Sequence, residues 1–148
     1  MQIGELCSRE VIVVRPEEPL AEAAREMLQQ HVGAVVVVET KDGRTRPVGI
    51  LTDRDVVCRQ IERQADLFTL TVADVMTPDP LTVEENGGVA EAIERMSARN
   101  VRRAPVVNAD GELIGIVTFD DLLPVLAEQL GALAKLIGTQ PQCERRRS

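Results

Sequence analysis

Residues 115–121, with the sequence GIVTFDD, join an apolar run to a threonine and, three residues later, to an acid. Residues 49–55 repeat the pattern as GILTDRD, with glycine, two apolar residues, threonine and aspartate at the same spacing. In both stretches the apolar pair predicts the end of a buried strand, and the threonine is a good N-cap for a following helix. The sequence therefore predicts one strand-to-helix junction that occurs twice, which indicates a duplicated fold.

The threonine and the acid of each junction have two interpretations. Thr52 with Asp55, and Thr118 with Asp121, match a capping box, in which the hydroxyl and the carboxylate each satisfy a backbone N–H of the first helical turn. Alternatively, a helix N-terminus with a free hydroxyl suits a phosphate, and a carboxylate beside it can accept hydrogen bonds from the two hydroxyls of a ribose. Both can hold at once, so a structural and a ligand-binding role stay open.

The repetition extends well beyond the junctions. Residues 20–38 match residues 89–107 at one constant offset. The offset changes only around the Asp-Gly turn that follows, where the first copy is longer, as expected for two copies of one fold. We divide the chain into a first repeat at 3–62, a linker at 63–71, a second repeat at 72–130, and a C-terminal helix extension with a frayed tail at 131–148.

Each copy is predicted to be strand, helix, strand, strand, helix. The first strands are expected at 11–14 and 81–83, and an i, i+3, i+4, i+7 apolar stripe predicts the helix over 20–27 and its counterpart. The β-branched run 34–38 is typical of a strand buried on both faces. One copy of about 60 residues buries too little surface to be stable alone. The sequence therefore predicts an α/β (α+β) fold in which two β-α-β-β-α repeats pack sheet to sheet with pseudo-twofold symmetry.

Composition narrows the class of protein. The chain has 148 residues, 44% of them hydrophobic, and a formal net charge of -7. An acidic chain is a poor partner for nucleic acid, because duplex binding rests on many contacts between phosphates and Lys or Arg. No apolar run approaches the roughly 18 residues that span a membrane, and the N-terminus lacks the features of a secretory signal. We therefore expect a cytoplasmic protein with no nucleic-acid and no membrane partner.

The sequence contains no recognisable catalytic or metal-binding constellation. The single histidine, His31, makes no metal site, and the three cysteines lack Cys-x-x-Cys spacing. No glycine-rich phosphate loop is present, and no serine lies in a glycine elbow. We therefore expect neither an enzyme nor a metal site.

Taken together, these features resemble a tandem cystathionine-β-synthase (CBS) domain pair, or Bateman module, of the stand-alone bacterial type. The resemblance rests on the doubled junction, on the lead-in at 74–78 (DVMTP), and on residues 102–107 (RRAPVV) before the second glycine strand. It covers residues 3 to about 130 and implies a regulatory, non-catalytic module. In this family two pseudo-symmetric clefts between the repeats bind adenosine-containing ligands, and two modules often associate into a flat dimer.

The resemblance assigns roles to the polar residues of both junctions. It places the ribose-binding carboxylate at Asp55 in one cleft and at Asp121 in the other. It places the hydroxyl that meets phosphate or ribose at Thr52 and Thr118. The ligand-binding interpretation of the junctions is therefore the one that the family favours.

A basic residue before the Pro-Val-Val strand contacts phosphate in the family. It falls on Arg102 or Arg103, and Ala104 and Pro105 follow it into the strand. In the first copy the same places are occupied by glycine and alanine at 33–34. The first cleft must therefore obtain phosphate-neutralising charge from Arg54 or from another chain, or prefer a ligand with less charge. A phosphorylated nucleotide is expected to prefer the second cleft over the first.

The resemblance also implies which residues line the base pocket. Thr77, Pro78 and Pro80 match the lead-in loop that forms this lining in relatives. Residues 8–11 take the corresponding places in the first copy.

The resulting hypothesis is a stand-alone regulatory module that senses energy or cofactor state. An adenosine nucleotide binds between the copies, with AMP, ADP and ATP as the first candidates and NAD and S-adenosylmethionine as the others; no cofactor is required. The expected partners are this nucleotide, a second copy in a homodimer, and an effector protein. The alternative is a structural homodimerisation module without a ligand.

Overall fold

Two copies of one arrangement make up the chain. The computed structural model describes residues 1–64 and 66–147, with side chains described up to residue 138. The order strand, helix, strand, strand, helix occurs twice, as predicted, and a one-turn helix precedes each copy. Over the described residues the elements are α1 (Ile3–Leu6), β1 (Val13–Val14), α2 (Leu20–Gln30), β2 (Ala34–Lys41), β3 (Arg44–Thr52), α3 (Asp53–Arg63), α4 (Val72–Val75), β4 (Thr77–Pro78), β5 (Val83–Glu84), α5 (Val89–Arg99), β6 (Arg103–Val107), β7 (Leu113–Thr118) and α6 (Phe119–Arg147).

The first strand of each copy is shorter than predicted. The sequence predicts strands over 11–14 and 81–83, whereas β1 and β5 each contain two residues. Only two residues of β1 and two of β5 pair with the neighbouring strand before the chain turns towards the following helix.

The strands form two sheets, with the orders β1-β2-β3-β4 and β5-β6-β7. β1 and β5 run parallel to β2 and β6, whereas β2 with β3 and β6 with β7 are antiparallel hairpins. Asp42 and Gly43 adopt φ values of 54° and 73° in the first hairpin turn. Positive φ at both central residues is what a tight hairpin requires, so the predicted Asp-Gly turn is present.

The one-turn lead-in helices are exchanged between the repeats. Ile3 of α1 packs into the core of the second repeat, and its N–H donates to the carbonyl of Gly87 at 3.0 Å. Val72 and Val75 of α4 pack into the core of the first repeat, and the N–H of Val72 donates to the carbonyl of Glu18 at 2.9 Å. Each core therefore combines one repeat with the lead-in helix of the other, and neither core is complete without both repeats.

The glycine of each repeated junction lies where an exchanged lead-in passes. A Cβ on Gly49 would lie 2.6 Å from the Sδ of Met76. A Cβ on Gly115 would lie 2.5 Å from the carbonyl oxygen of Ser8. At Gly115 the neighbour is backbone, so only glycine allows the two chains to approach, whereas at Gly49 the Met76 side chain can move and the nearest backbone atom, the Thr77 oxygen, is 3.0 Å away.

The two faces of the first sheet have different partners. Val35 and Val37 pack with residues of α2 and α3, while Val36, on the opposite face, is equally buried at 0% exposure. This opposite face is covered by the other repeat, because β3 contacts β7 and an ion pair of 3.6 Å joins Arg44 to Asp110. The repeats therefore pack sheet to sheet, as predicted.

α6 continues past the second repeat, and residues 127–138 along it are exposed. The predicted frayed tail, which begins at residue 140 and includes Cys143, lies outside the described side chains. None of the described helices combines the length and the hydropathy of a bilayer-crossing segment.

Candidate functional site

The second junction forms a complete capping box at the start of α6. Oδ2 of Asp121 accepts hydrogen bonds from the backbone N–H of Thr118 at 2.9 Å and from the Thr118 hydroxyl at 3.1 Å. The Thr118 oxygen in turn accepts the N–H of Asp121 at 3.3 Å. The structural interpretation of this pattern is therefore correct at the second junction.

The first junction forms the same box at the start of α3. Oδ2 of Asp55 accepts the N–H of Thr52 at 3.0 Å, and Oγ1 of Thr52 accepts the N–H of Asp55 at 3.0 Å. A third box starts α4, where hydrogen bonds from the backbone N–H and the hydroxyl of Thr71 lower the pKa of Asp74. Because the third box caps a lead-in helix away from both junctions, the pattern alone does not identify a ligand site.

Capping leaves part of each junction carboxylate unused. The hydrogen bonds go to Oδ2, and Oδ1 of Asp55 and of Asp121 accepts none from the described residues. A carboxylate offers about four lone-pair positions, so Oδ1 can accept sugar hydroxyls while Oδ2 keeps the helix capped. Both side chains are half-buried. The two interpretations of the Thr-x-x-Asp pattern are therefore compatible.

The pairing of β6 with β7 separates the two candidate arginines. Arg103 is the direct ladder partner of Thr118, so the two side chains leave the sheet on the same face. Arg102 lies one residue earlier; its carbonyl accepts the N–H of Phe119 at 2.7 Å, and its side chain lines a groove between α5 and α6. Arg103 is therefore the better placed of the two for a ligand at the second junction.

The corresponding positions of the first repeat carry no cation. Ala34 lies opposite Thr52, and the carbonyl of Gly33 accepts the N–H of Asp53 at 3.0 Å, so the backbone geometry is the same. Arg103 is a half-buried residue, and its guanidinium forms no hydrogen bond or ion pair with a described residue. At this ladder position the second junction therefore offers a positive charge that the first lacks.

The two residues after Arg103 point to opposite faces of the sheet. Ala104, the ladder partner of Val117, has 0% exposure and lies in the core of the second repeat. Pro105, the partner of Ile116, lies on the face of Arg103 and is also fully buried. Ala104 is therefore turned away from any ligand on that face, and Pro105 belongs to the wall that the other repeat covers.

The exchange of lead-ins decides which junction receives the predicted base-pocket residues. Thr77 and Pro78 pair with Ile50 and Gly49 of β3, and Pro80 follows two residues later. These residues therefore lie beside the first junction, although they belong to the second repeat in sequence.

Ser8 takes the equivalent place at the second junction. Its N–H and its carbonyl bond to the carbonyl and the N–H of Ile116, both at 2.9 Å. Burial raises the pKa of the neighbouring Cys7 thiol, while the charge of Arg9 lowers it and the charge of Asp121 raises it. Residues 7–9 therefore lie close to the second junction. The alignment of the two repeats already matches Ser8 with the lead-in loop of the second copy. Only the exchange of the lead-in helices shows that Ser8 lies at the second junction.

The groups that meet at the second junction suit an anion and a diol. They are a helix N-terminus, a hydroxyl, a spare carboxylate oxygen and one guanidinium. The described residues contain no group of three or more His, Cys, Asp or Glu side chains that could hold a metal ion.

Comparison with known proteins identifies the repeats. The family model for the CBS domain matches residues 3–61 and 72–128. Uncharacterized protein MK0525 of Methanopyrus kandleri is 38% identical over 125 residues, which are 84% of this chain and 62% of that protein. Inosine-5'-monophosphate dehydrogenase of Methanocaldococcus jannaschii is 37% identical over 119 residues, which are 80% of this chain and 22% of the enzyme. The chain thus spans less than two thirds of the first relative and about a fifth of the second.

Solved structures share the same architecture. The crystal structure of CBSX2 in complex with AMP is 25% identical and superposes with a TM-score of 0.70. The match covers 86% of this chain and 96% of that chain.

Proposed function

The chain belongs to the CBS-domain family, and on that premise we propose that it is a regulatory module that binds an adenosine nucleotide and acts on an effector protein. The observation that carries this proposal is the position of Arg103, which shares a sheet face with Thr118 at the start of α6. A cation and a helix N-terminus at one place favour a phosphate. Oδ1 of Asp121 favours the hydroxyls of a ribose.

The proposed ligand lies across the second junction. Its ribose bonds to Asp121, its phosphate lies near Thr118 and Arg103, and its base is directed towards the lead-in at Ser8. The solved complex of CBSX2 with AMP supports this ligand class, because that chain has the same fold over most of its length. We place AMP, ADP and ATP first and NAD and S-adenosylmethionine after them.

The first junction is proposed as a second site with a different preference. Thr52 and Asp55 repeat the hydroxyl and the carboxylate, and Thr77, Pro78 and Pro80 supply the neighbouring lead-in. Because Ala34 replaces the arginine, this site lacks the strand guanidinium of the second site, and its nearest arginine in sequence, Arg54, is an exposed residue of the first turn of α3. A less highly charged adenosine ligand, such as S-adenosylmethionine, suits it better.

Regulation follows from how the cores are built. Each core contains a lead-in from the other repeat, so a ligand that contacts β7 and a lead-in contacts both repeats at once. Such a ligand stabilises the arrangement it binds and shifts the population towards it. We propose that a cytoplasmic homodimer transmits this energy-dependent shift to an effector protein and has no catalytic function of its own.

Calorimetric titration of the purified chain with AMP, ADP, ATP, NAD and S-adenosylmethionine tests the proposal. At least one ligand is expected to bind more tightly than about 1 mM, which is roughly 4 kcal/mol. Absence of binding across the panel would reject the sensor and favour the structural homodimerisation module. Turnover of ATP in the same mixtures would instead reject the non-catalytic role.

A further inference from the structure

The part of α6 that extends beyond the second repeat carries an exposed apolar stripe. Leu130, Leu133 and Ile137 are 65%, 56% and 68% exposed. Together with Leu123 and Leu126 they follow the alternating spacing of three and four residues that two-stranded coiled coils use. This spacing is more specific than general amphipathicity, because it keeps the stripe aligned along a partner helix of the same kind.

The stripe continues an apolar groove on the second repeat. Leu122, at the start of α6, is buried in the core, whereas Leu123 and Leu126 line a cavity of about 200 Å³ between α5 and α6. Ile93 and Met96 of α5 form its opposite wall. We call the groove and the stripe together the α6 surface; it is continuous and apolar from Leu123 to Ile137.

We propose that the α6 surface is covered by α6 of a second copy of this chain, in antiparallel orientation. A twofold axis near Gly131 and Ala132 places Leu130 against Leu133 of the second copy, and Leu126 against Ile137. Gly131 and Ala132 are level with the axis but lie at heptad positions b and c, away from the stripe, so the apolar stripe makes the contact. The stripe is therefore complementary to itself.

The charged residues of α6 do not obstruct this occupant. Glu128 and Lys135 lie on the side of α6 opposite the stripe, at heptad position f, and so face away from the second copy. Ala127, Gln129 and Ala134 flank the stripe without charge, so no like charges oppose each other beside it.

The stripe alone is too short for a stable contact, so the groove is needed to extend it. From Leu123 to Ile137 the stripe is about 21 Å long, which is short for an isolated coiled coil. In the antiparallel arrangement the end of one helix lies along the groove of the other copy, which extends the contact. A parallel pair would instead place both second repeats at the same end, where each would crowd the groove of the other.

This inference assigns a surface to the proposed homodimer and does not depend on nucleotide binding. Sedimentation velocity of the full chain without ligand tests it. The wild type is expected to sediment with the mass of two chains, Leu133→Glu with half that mass, and Ala132→Glu, which adds the same charge on another face, with the mass of the wild type. Thermal unfolding by circular dichroism should give a folded Leu133→Glu chain, because the native side chain is mostly exposed.

Mixing two variants tests the orientation. Chains with Leu130→Glu and chains with Leu133→Lys are each expected to be monomeric, and their mixture should recover the mass of two chains, because these positions meet only in the antiparallel register. A mixture that stays monomeric overturns the proposal. A wild-type monomer overturns both this surface and the homodimer, whereas a Leu133→Glu variant that keeps the wild-type mass overturns this surface and leaves the homodimer standing.

Discussion

Arg103 and Thr118 are direct partners across the β6–β7 ladder, and Ala34 and Thr52 have the same relationship in the first repeat. At this ladder position the second junction therefore has a guanidinium that the first lacks. The first helical turns differ in the opposite sense, because Arg54 of α3 corresponds to Asp120 of α6. A phosphate near Thr118 would meet the strand guanidinium of Arg103, and this is the basis for proposing the second junction as the site of a phosphorylated ligand.

Replacing Arg103 tests its role in phosphate binding. Arg103→Gln is expected to weaken the binding of AMP by about 1.5 to 3 kcal/mol, which is the typical contribution of a hydrogen bond to a charged group. This corresponds to a roughly 10- to 100-fold increase in Kd. Adenosine, which has no phosphate, should bind both forms equally. Arg102→Gln is the matched control, because its side chain faces the groove between α5 and α6. Equal losses for the two variants would contradict the assignment.

The ribose contact of Asp121 can be tested by changing both partners. The wild type should prefer AMP over 2'-deoxy-AMP by about 1.5 to 3 kcal/mol, and Asp121→Asn should lose most of that preference in calorimetric titrations. Asp74→Asn removes a capping carboxylate away from the junctions and should leave the preference intact. A preference that survives in Asp121→Asn would place the ribose elsewhere.

The close approach at Gly115 predicts a strong effect of one methyl group. Gly115→Ala places a Cβ 2.5 Å from the Ser8 carbonyl and 3.0 Å from the Cys7 sulfur, and should lower the free energy of unfolding by about 1 to 3 kcal/mol. Gly131→Ala is the control, since a Cβ there meets nothing within 4 Å and helix propensity should raise stability by about 0.5 to 1 kcal/mol. Urea unfolding measures both. A Gly115→Ala chain as stable as the wild type would show that the lead-in does not pass at this distance.

The cap of α4 predicts a dependence of stability on pH. Hydrogen bonds from the Thr71 N–H and hydroxyl hold the folded pKa of Asp74 below its usual value of 3.8. A depressed folded pKa adds stability that is present above 3.8 and disappears as the pH falls through the folded value. The free energy of unfolding measured with urea should therefore be larger for the wild type than for Asp74→Asn at pH 7. The difference should disappear below pH 3.8. A gap that stays constant with pH would mean that the carboxylate charge contributes nothing.

The sequence by itself determined the features that depend on neighbours a few residues away. The duplicated order of elements, the Asp-Gly hairpin and the buried run at 34–38 all follow from periodicity and turn chemistry. The capping boxes belong here too, because Thr118 and Asp121 are three residues apart. Such contacts form within one turn of chain, so the residue types specify them directly.

Only the tertiary structure decided which side chains meet at each junction. Choosing Arg103 over Arg102 requires the register of β6 against β7, because one residue of slip moves a side chain to the other face of a sheet. Assigning Ser8 to the second junction and Thr77 to the first requires the exchanged lead-ins, which pair across the two repeats. The physical reason is that the register and the exchange both depend on how segments far apart in sequence pack into a shared core. Such packing produces no periodic pattern in the sequence of either segment.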